Sequence, residues 1–506
     1  MLAEVLNRIS SFLWGTPFLG FVILVGLYFT VGSGFFTLTH FRHIMKKTFG
    51  SIFSKEANDI HAGQVTPFEA VCIAIGGCVG SGNIGGVATA IAVGGPGAVF
   101  WLWIWAIFGM MVKLVETALG CHYRSKNERG EYFGGSTYFM EKGIGREMGH
   151  KFGYVLAVAF GIGFVAQFLG GSQAYTISEI LSESFHINMI ATTLIYSVIL
   201  YYVIWKGTPR IAKFSSRAVP FMTTAYLLGG LGLIFINIGN MPGVVYSIFH
   251  DAFTGTAAVG GFVGVAVSET IKMGIARSIN SNEAGQGPSP LIHGSANTIH
   301  PIKQGLWGSF EVFIDTIIVC SVTALSILST GIWTSGQAGA TLTIMAYESA
   351  YGRFGTLFIG MMGILFGLTT TSGWFTYYLA IFNHALRYKP ILRDKVVKIF
   401  KFVFPIPNII IVSSIVLTGN GPELFWTIVD ISLVIPVFTN LLALFILRKK
   451  FWALLKDYKA RYMGIGKTDP NFYVFYEDDP EVNEVEENIR KKIRLEAERA
   501  YGKVKA

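Results

Sequence analysis

Apolar residues run along this chain in blocks of about 20, rather than alternating or recurring along one helical face, and that is the length a helix needs to cross the hydrocarbon core of a bilayer. Such blocks lie near residues 18–38, 67–93, 97–119, 152–181, 189–205, 219–238, 257–279, 305–328, 354–382, 396–417 and 423–447. They predict eleven spanning helices. No basic stretch precedes the first block and no small-residue cleavage site follows it, so it is expected to be a retained span.

The polar connections have their own pattern. Lys and Arg cluster after the first block (Arg42, Lys46, Lys47, Lys55), the third (Arg124, Lys126, Arg129, Lys142, Arg146, Lys151), the fifth (Lys206, Arg210, Lys213, Arg217) and the ninth (Arg387, Lys389, Arg393, Lys395, Lys398). Lys303 alone follows the seventh, and the intervening connections offer only Arg353. Basic loops stay in the cytoplasm. Eleven spans with the N-terminus outside and the C-terminus cytoplasmic therefore fit the alternation.

Composition agrees with this picture: 52% of residues are hydrophobic, 14% are charged, and the mean hydropathy is +0.51. The net charge of +9 is accounted for by the inside loops, so it points to membrane topology and not to nucleic acid. Cys72, Cys78, Cys121 and Cys320 lie in or beside apolar runs without metal-ligand or disulfide spacing, and read as small core residues. After Leu447 the chain turns strongly charged. Helical spacing of mixed charges near its end predicts a solvated helix, with a regulatory or partner surface as the sharper alternative.

Within the second block, Gly80-x-Gly82-x-x-Gly85 matches a dinucleotide-binding fingerprint letter for letter. That motif needs a strand before it, a helix after it and an acidic residue about 20 positions on. No acidic residue occurs between Glu69 and Glu116, and the flanks are apolar for longer than a strand can use. A membrane helix holding Gly76, Gly77, Gly80, Gly82, Gly85 and Gly86 around Ser81 and Asn83 has two other readings. One is close helix packing, with small residues four apart. The other is an unwound segment whose free amides and carbonyls meet a ligand at mid-bilayer. The adjoining hydroxyl and amide favour the second.

If the chain contains inverted repeats, an equivalent interruption is expected five spans later. The seventh block turns polar and glycine-rich at Asn280-Ser-Asn-Glu-Ala-Gly285, which meets that expectation. The resulting organisation is an extra helix and loop over residues 1–65, a first five-helix repeat over 66–238, a connection and second repeat over 239–448, and a charged tail over 449–506.

These motifs carry a specific resemblance. The stretch from Gly80 to Ala98, together with Gly207-Thr-Pro-Arg-Ile-Ala-Lys213, Ala276-Arg277, Ser281-Asn-Glu-Ala-Gly285, Gln304-Gly-Leu-Trp-Gly308 and Glu311-Val-Phe-Ile-Asp-Thr316, resembles the alanine or glycine:cation symporter family. The resemblance covers roughly residues 65–447. It implies an all-α polytopic membrane protein of leucine-transporter-type fold, with a 5+5 inverted repeat plus one N-terminal helix. It also implies Na+-coupled import of a small neutral amino acid across the cell membrane, with membrane lipid as surroundings and no enzymatic step.

On this reading, a zwitterion at mid-bilayer needs both charges met. Amides around Gly80, Ser81, Gly82 and Asn83 would take the carboxylate. Oxygens around Asn280, Ser281 and Asn282 would take the ammonium, and Gln167 is a third contributor. For Na+, a hard cation that prefers oxygen, the expected cage combines Gly77 and Gly80 with Thr370, Thr371 and Ser372 on the ninth span, and the family fold raises Thr371 and Ser372 above their neighbours.

Other intramembrane charges have plainer readings. Glu311 and Asp315, four apart, share a helix face, and Lys113 and Glu116 lie near the inner end of the third span; structural pairing is expected for both sets. Glu283 either binds a cation or caps a helix start. His293 and His300 fall in a connection and are assigned no chemistry. Two alternatives to the Na+/alanine reading remain open: a proton-coupled carrier using Glu283 or Asp315, and a symporter for polar neutral amino acids such as serine or glutamine. The latter follows from Asn280 and Gln286, which stand where the family commonly has an aromatic and an aliphatic residue.

Overall fold

The computed structural model describes residues 2–53, 65–127, 130–168, 172–419 and 423–501, and it is almost wholly helical. The chain opens with α1 (Leu2–Leu13) and α2 (Thr16–Gly32), which form one apolar span from Glu4 to Gly32. The Trp14 indole donates to the Asp430 carbonyl at 3.0 Å and ties this span to the end of the bundle.

The first interrupted helix starts abruptly at α3 (Pro67–Cys78). Thr66 accepts from the Glu69 amide at 2.9 Å while Glu69 accepts from the Thr66 amide at 3.0 Å, and Pro67 sits where no amide is needed. The helix stops after Cys78, resumes as a π-turn over Gly82–Gly86, and continues as α4 (Val87–Gly94), bent by 46° from α3. Next comes α5 (Gly97–His122), largely buried and packed against α2 and both helices that flank the second break.

The block at 152–181 divides into α6 (Phe152–Phe168) and α7 (Ser172–Phe185); α8 (Met189–Ile204), α9 (Thr208–Ile236) and α10 (Met241–Thr254) follow. The block at 257–279 is helical only from Val267. Before it, residues 256–265 close on themselves through Thr256↔Val265 and Val259↔Phe262 bridges, with Gly260 and Gly264 at φ 56° and 65°. Glycine reaches those angles at little cost, and that local preference overrides hydropathy here. Helix α11 (Val267–Asn282) ends where Glu283 adopts φ 56°; Gly285 and Gly287 turn the chain into the short α12 (Ser289–His293). This is the second interruption, at the place the repeat argument puts it.

Helices α13 (Pro301–Val312) and α14 (Ser321–Thr330) are joined by a π-segment over Phe313–Cys320. Then come α15 (Gly339–Tyr351), the long α16 (Arg353–Ala385), α17 (Pro390–Val403), α18 (Ile406–Thr418) and α19 (Glu423–Ile446). Pro405 and Pro407 explain the joint between α17 and α18. Among the described residues, seven helices are long and apolar enough to cross a membrane, or nine if each bent pair counts as one span. The shortfall from eleven lies in α6, only 17 residues long, and in α11, which carries Glu269, Lys272 and Arg277.

The connections after the first, third, fifth, seventh and ninth blocks gather at one end. The Asn297 amide donates to the Val65 carbonyl at 2.9 Å, Arg124 donates to the Ala296 carbonyl at 2.9 Å, Arg387 pairs with Glu141, and Lys401 reaches the Trp205 carbonyl at 3.5 Å. The first part of the tail also docks there, while its last helix, over Pro480–Tyr501, is mostly exposed, as its charge pattern predicts. In α20 (Arg448–Met463), Phe451, Leu454 and Tyr458 are buried against the bundle. Before α21 (Pro480–Tyr501), Phe475 and Tyr132 sandwich the Arg124 guanidinium at 4.0 and 3.9 Å, and Glu477 pairs with Lys142 at 2.9 Å. Arginine's flat cation stacks on aromatic faces in a way that charge spacing alone does not reveal.

Candidate functional site

The two interruptions meet through one carboxylate. Asn83 accepts from the Gly80 amide at 2.7 Å through Oδ1, which fixes its amide orientation, so Nδ2 donates to Asp315 Oδ1 at 2.7 Å. Asp315 Oδ2 accepts from Ser281 Oγ at 2.9 Å and Thr316 Oγ1 at 2.7 Å. Asn83, Ser281 and Asp315 are all buried. The breaks also touch directly: a Cβ on Gly82 would stand in van der Waals contact with the Ser281 Cα, at 3.6 Å. Asp315, expected to pair structurally with Glu311, therefore serves the junction, while Glu311 belongs to a different cluster. The π-segment that begins at Phe313 separates them, because the expected four-residue periodicity no longer holds across it.

The remaining predicted residues divide by function. Asn282 is occupied in holding the second break: it donates to Thr316 Oγ1 at 3.0 Å and accepts from the Ala284 amide at 2.9 Å. Gly80 and Ser81 line the first break, and Ser81 is buried. Asn280 is half-buried, and its amide makes no hydrogen bond among the described residues. Gln167, on α6, accepts from Gln286 Nε2 at 3.1 Å, which joins it to the second break; its own NH2 group is buried and unpaired. An unpaired buried donor of this kind is costly unless a ligand or water meets it.

The hydroxyls of α16 disperse, because successive residues on a helix point about 100° apart. Thr370 faces the first break, donating to the Gly76 carbonyl at 2.9 Å and lying 3.5 Å from the Val79 carbonyl, and Gly80 passes so close that a Cβ there would collide with Thr370 Oγ1. Gly77 packs on Gly373 and the Tyr377 hydroxyl. Thr371, expected in the cage, faces α8 and bonds the Tyr196 hydroxyl at 2.6 Å. Ser372 donates to the Thr369 carbonyl of its own helix at 3.2 Å. The oxygen-rich contact between α16 and the first break thus centres on Thr370.

Beneath this lies a second buried cluster. Lys113 is 3.1 Å from Glu311 and 3.7 Å from Glu116, and it donates to Ser289 at 2.7 Å. Glu116 also accepts from Asn440 at 2.8 Å, and Glu311 lies 3.2 Å from His293. Glu283, whose φ of 56° places it at the turn after α11, accepts from the Trp374 indole at 2.9 Å. His293, at the end of α12, and His300, in the bend before α13, are buried polar partners, and His300 lies 3.2 Å from Asp457 of α20. Sequence reasoning missed Ser289, Trp374 and Asn440 as site neighbours, and named Asp315 without its link to both breaks. Only the polar residues within otherwise apolar stretches hinted at them.

Two broken helices joined at mid-bundle, with an oxygen-rich helix against one of them, define a secondary transporter of the leucine-transporter fold. The fold match is with the crystal structure of MhsT in complex with L-phenylalanine, at a TM-score of 0.57 and 12% identity over 86% of this chain and 97% of that one. The chain belongs to the sodium:alanine symporter family, whose model matches residues 1–473. Among its relatives, the probable sodium/glutamine symporter GlnT of Bacillus subtilis is 33% identical over 94% of each chain. The sodium/alanine symporter AgcS of Methanococcus maripaludis is 32% identical over 84% of this chain and 90% of its own. The chain is therefore an amino-acid symporter of the sodium/alanine type and a polytopic membrane protein.

Proposed function

We propose that this chain imports a small neutral amino acid together with Na+ by alternating access, with the N-terminus outside and the basic loops and tail in the cytoplasm. The observation that carries the reading is the junction at Asp315, which ties Asn83 of the first break to Ser281 of the second. The two five-helix units, residues 66–238 and 239–448, then share one site at their interface. Backbone amides of the first break, around Ser81 and Gly82, receive the substrate carboxylate. Ser281 and Asn280 face the ammonium, and the buried Asp315 carboxylate that Ser281 bonds supplies the negative charge an ammonium needs. Na+ binds where Thr370 Oγ1 meets the Gly76 and Val79 carbonyls, a set of oxygens suited to a hard cation.

At the basic end, a cavity of about 350 Å³ is bordered by Glu69, Tyr132, Thr208, Ile292, Thr376 and Asn383. It runs beside the start of the first broken helix and the end of α16, and we assign it as the inner release path. One observation favours a substrate with a polar side chain over alanine. The Asn280 amide is unpaired and the Gln167 NH2 group lacks an acceptor, so a serine or glutamine side chain has partners to find. The test is uptake into proteoliposomes with an imposed inward Na+ gradient, run against a panel of neutral amino acids. Concentrative uptake of alanine, serine or glutamine that disappears when choline replaces Na+ is expected. Uptake indifferent to Na+ would overturn the ion assignment, and no uptake of any amino acid would overturn the substrate class.

A further inference from the structure

The lower cluster holds more negative charge than its cations can balance. Lys113 is its one lysine, and it faces Glu311 and Glu116. His293 pairs through Nδ1 with the Gln304 amide nitrogen at 2.7 Å and through Nε2 with Glu311, an arrangement in which Nδ1 accepts and the ring is neutral. With Glu116, Glu283 and Glu311 all ionised, the sum is −3 + 1 = −2 among residues that are fully buried or nearly so. Uncompensated charge at that depth costs several kcal/mol. Among the described residues, no cation lies within ion-pair distance of Glu283.

The hydrogen bonds say which carboxylate is neutral. Ser289 Oγ has one proton and two lone pairs. It accepts from Lys113 at 2.7 Å and gives its proton to Glu311 Oε1 at 2.7 Å. Glu283 Oε2 lies 3.4 Å from the same oxygen, with no serine proton left for that contact. The contact is attractive if Glu283 carries the proton and donates it to Ser289, whose own proton is given to Glu311. Glu283 Oε1 meanwhile accepts from Trp374 Nε1 at 2.9 Å, a bond that either charge state makes.

We infer that Glu283 is a proton-binding site, neutral in this conformation, which exchanges its proton during the transport cycle. The groups that face it are Lys113 and Glu116 from α5, Glu311 from α13, Asp315 from the π-segment, Cys78 from α3, His293 from α12 and Tyr377 and Tyr378 from α16. The Tyr377 hydroxyl is fully buried, next to Ser289 and close enough to Glu283 to feel its charge. A route out is short: Ser289 begins α12, whose Leu291 and Ile292 line the release cavity, as does Thr376 next to Tyr377. Glu283 adjoins Asn282 of the second break, and Trp374 lies one helical turn from Thr370, so its charge state bears on both the substrate and the ion side. The exchange step rests on the symporter reading; the bound proton does not.

The test uses the full chain in lipid. Infrared difference spectra of wild type against Glu283→Gln should show the carbonyl stretch of a neutral carboxylic acid in the wild type and its loss in the variant. Ser289→Ala should keep that band but move it, because the acid loses its acceptor. It covers the case in which Glu283→Gln fails to fold. Uptake should depend on pH in the wild type and lose that dependence in Glu283→Gln. Absence of the band, or its persistence in Glu283→Gln, overturns the bound proton. An identical pH profile in wild type and Glu283→Gln overturns the exchange. A wild type that moves no amino acid overturns the symporter reading and leaves the infrared result to decide the proton.

Discussion

Replacing Asn83 by alanine removes both ends of a bridge. The Gly80 amide loses its acceptor at 2.7 Å, and Asp315 loses one of three side-chain donors. A hydrogen bond between helices in a membrane protein averages about 0.6 kcal/mol and reaches about 1.7, while one to a charged group is worth about 1.5–3 kcal/mol. The short, charge-assisted Asn83–Asp315 bond therefore belongs near the top of the first range, and we expect a coupling energy of about 1.5 kcal/mol. Stranding the Gly80 amide adds about 1 kcal/mol or more. The total, about 2.5–3 kcal/mol, predicts substrate binding weakened roughly 100-fold, at about 1.4 kcal/mol per decade. The assay is a double-mutant cycle of Asn83→Ala and Asp315→Ala, read as the apparent Kd for the transported amino acid and as thermal unfolding in detergent. If the two substitutions add within about 0.5 kcal/mol, the bond is not an energetic link between the breaks. If Asn83→Ala binds substrate like the wild type, the junction is not part of the site.

Three further outcomes are expected. Thr370→Val should raise the Na+ concentration for half-maximal uptake about tenfold, near 1.4 kcal/mol, whereas Thr371→Val should lower thermal stability through the lost Tyr196 bond and leave Na+ affinity alone; equal Na+ effects would argue against centring the cage on Thr370. Asn280→Phe should shift competition from glutamine or serine toward alanine, and an unaltered ranking would place that amide away from the substrate. His300 should make the fold acid-sensitive: burial, opposed by Asp457, lowers its pKa from 6.5 to about 4. The folded state thus favours the neutral ring, and its stabilisation is complete above pH 6.5 and lost as pH falls toward 4. Thermal unfolding should therefore lose stability over that window in the wild type and lose less in His300→Gln, and parallel curves would contradict it.

Hydropathy located the spans because an apolar block of bilayer length has few other uses, and the glycine stretch revealed the first break, where no other residue tolerates the approach of Gly80 to Thr370. The second break was legible for the same reason. Side-chain direction was not. Thr369, Thr370, Thr371 and Ser372 look alike in a sequence, and the rotation of α16, set by packing Gly373 on Gly77, decides that Thr370 faces the break and Thr371 faces Tyr196. The separation of Glu311 from Asp315 was hidden because a π-segment leaves no clear mark in hydropathy. The docked tail escaped because its charges look solvated until Arg124 and Lys142 supply partners from loops more than 300 residues away.

These misses have a common cause that also makes the site intelligible. Each concerns a polar group whose partner lies on another helix, and in the bilayer interior such partners are obligatory because water is absent. The breaks expose backbone, and the same regions therefore gather Asn83, Ser281, Asp315 and Thr316 into one bonded set and Lys113, Glu116, Glu283, Glu311 and Ser289 into another. The first set has its bonds complete around a carboxylate that no cation pairs. The second has one lysine among three carboxylates. On the proposed reading, a cargo that brings positive charge, as Na+ and an amino-acid ammonium both do, relieves the first, and the inferred proton on Glu283 relieves the second. Two buried charge deficits on adjoining elements give ion and substrate occupancy a direct energetic hold on the broken helices, which are the parts that alternating access must move.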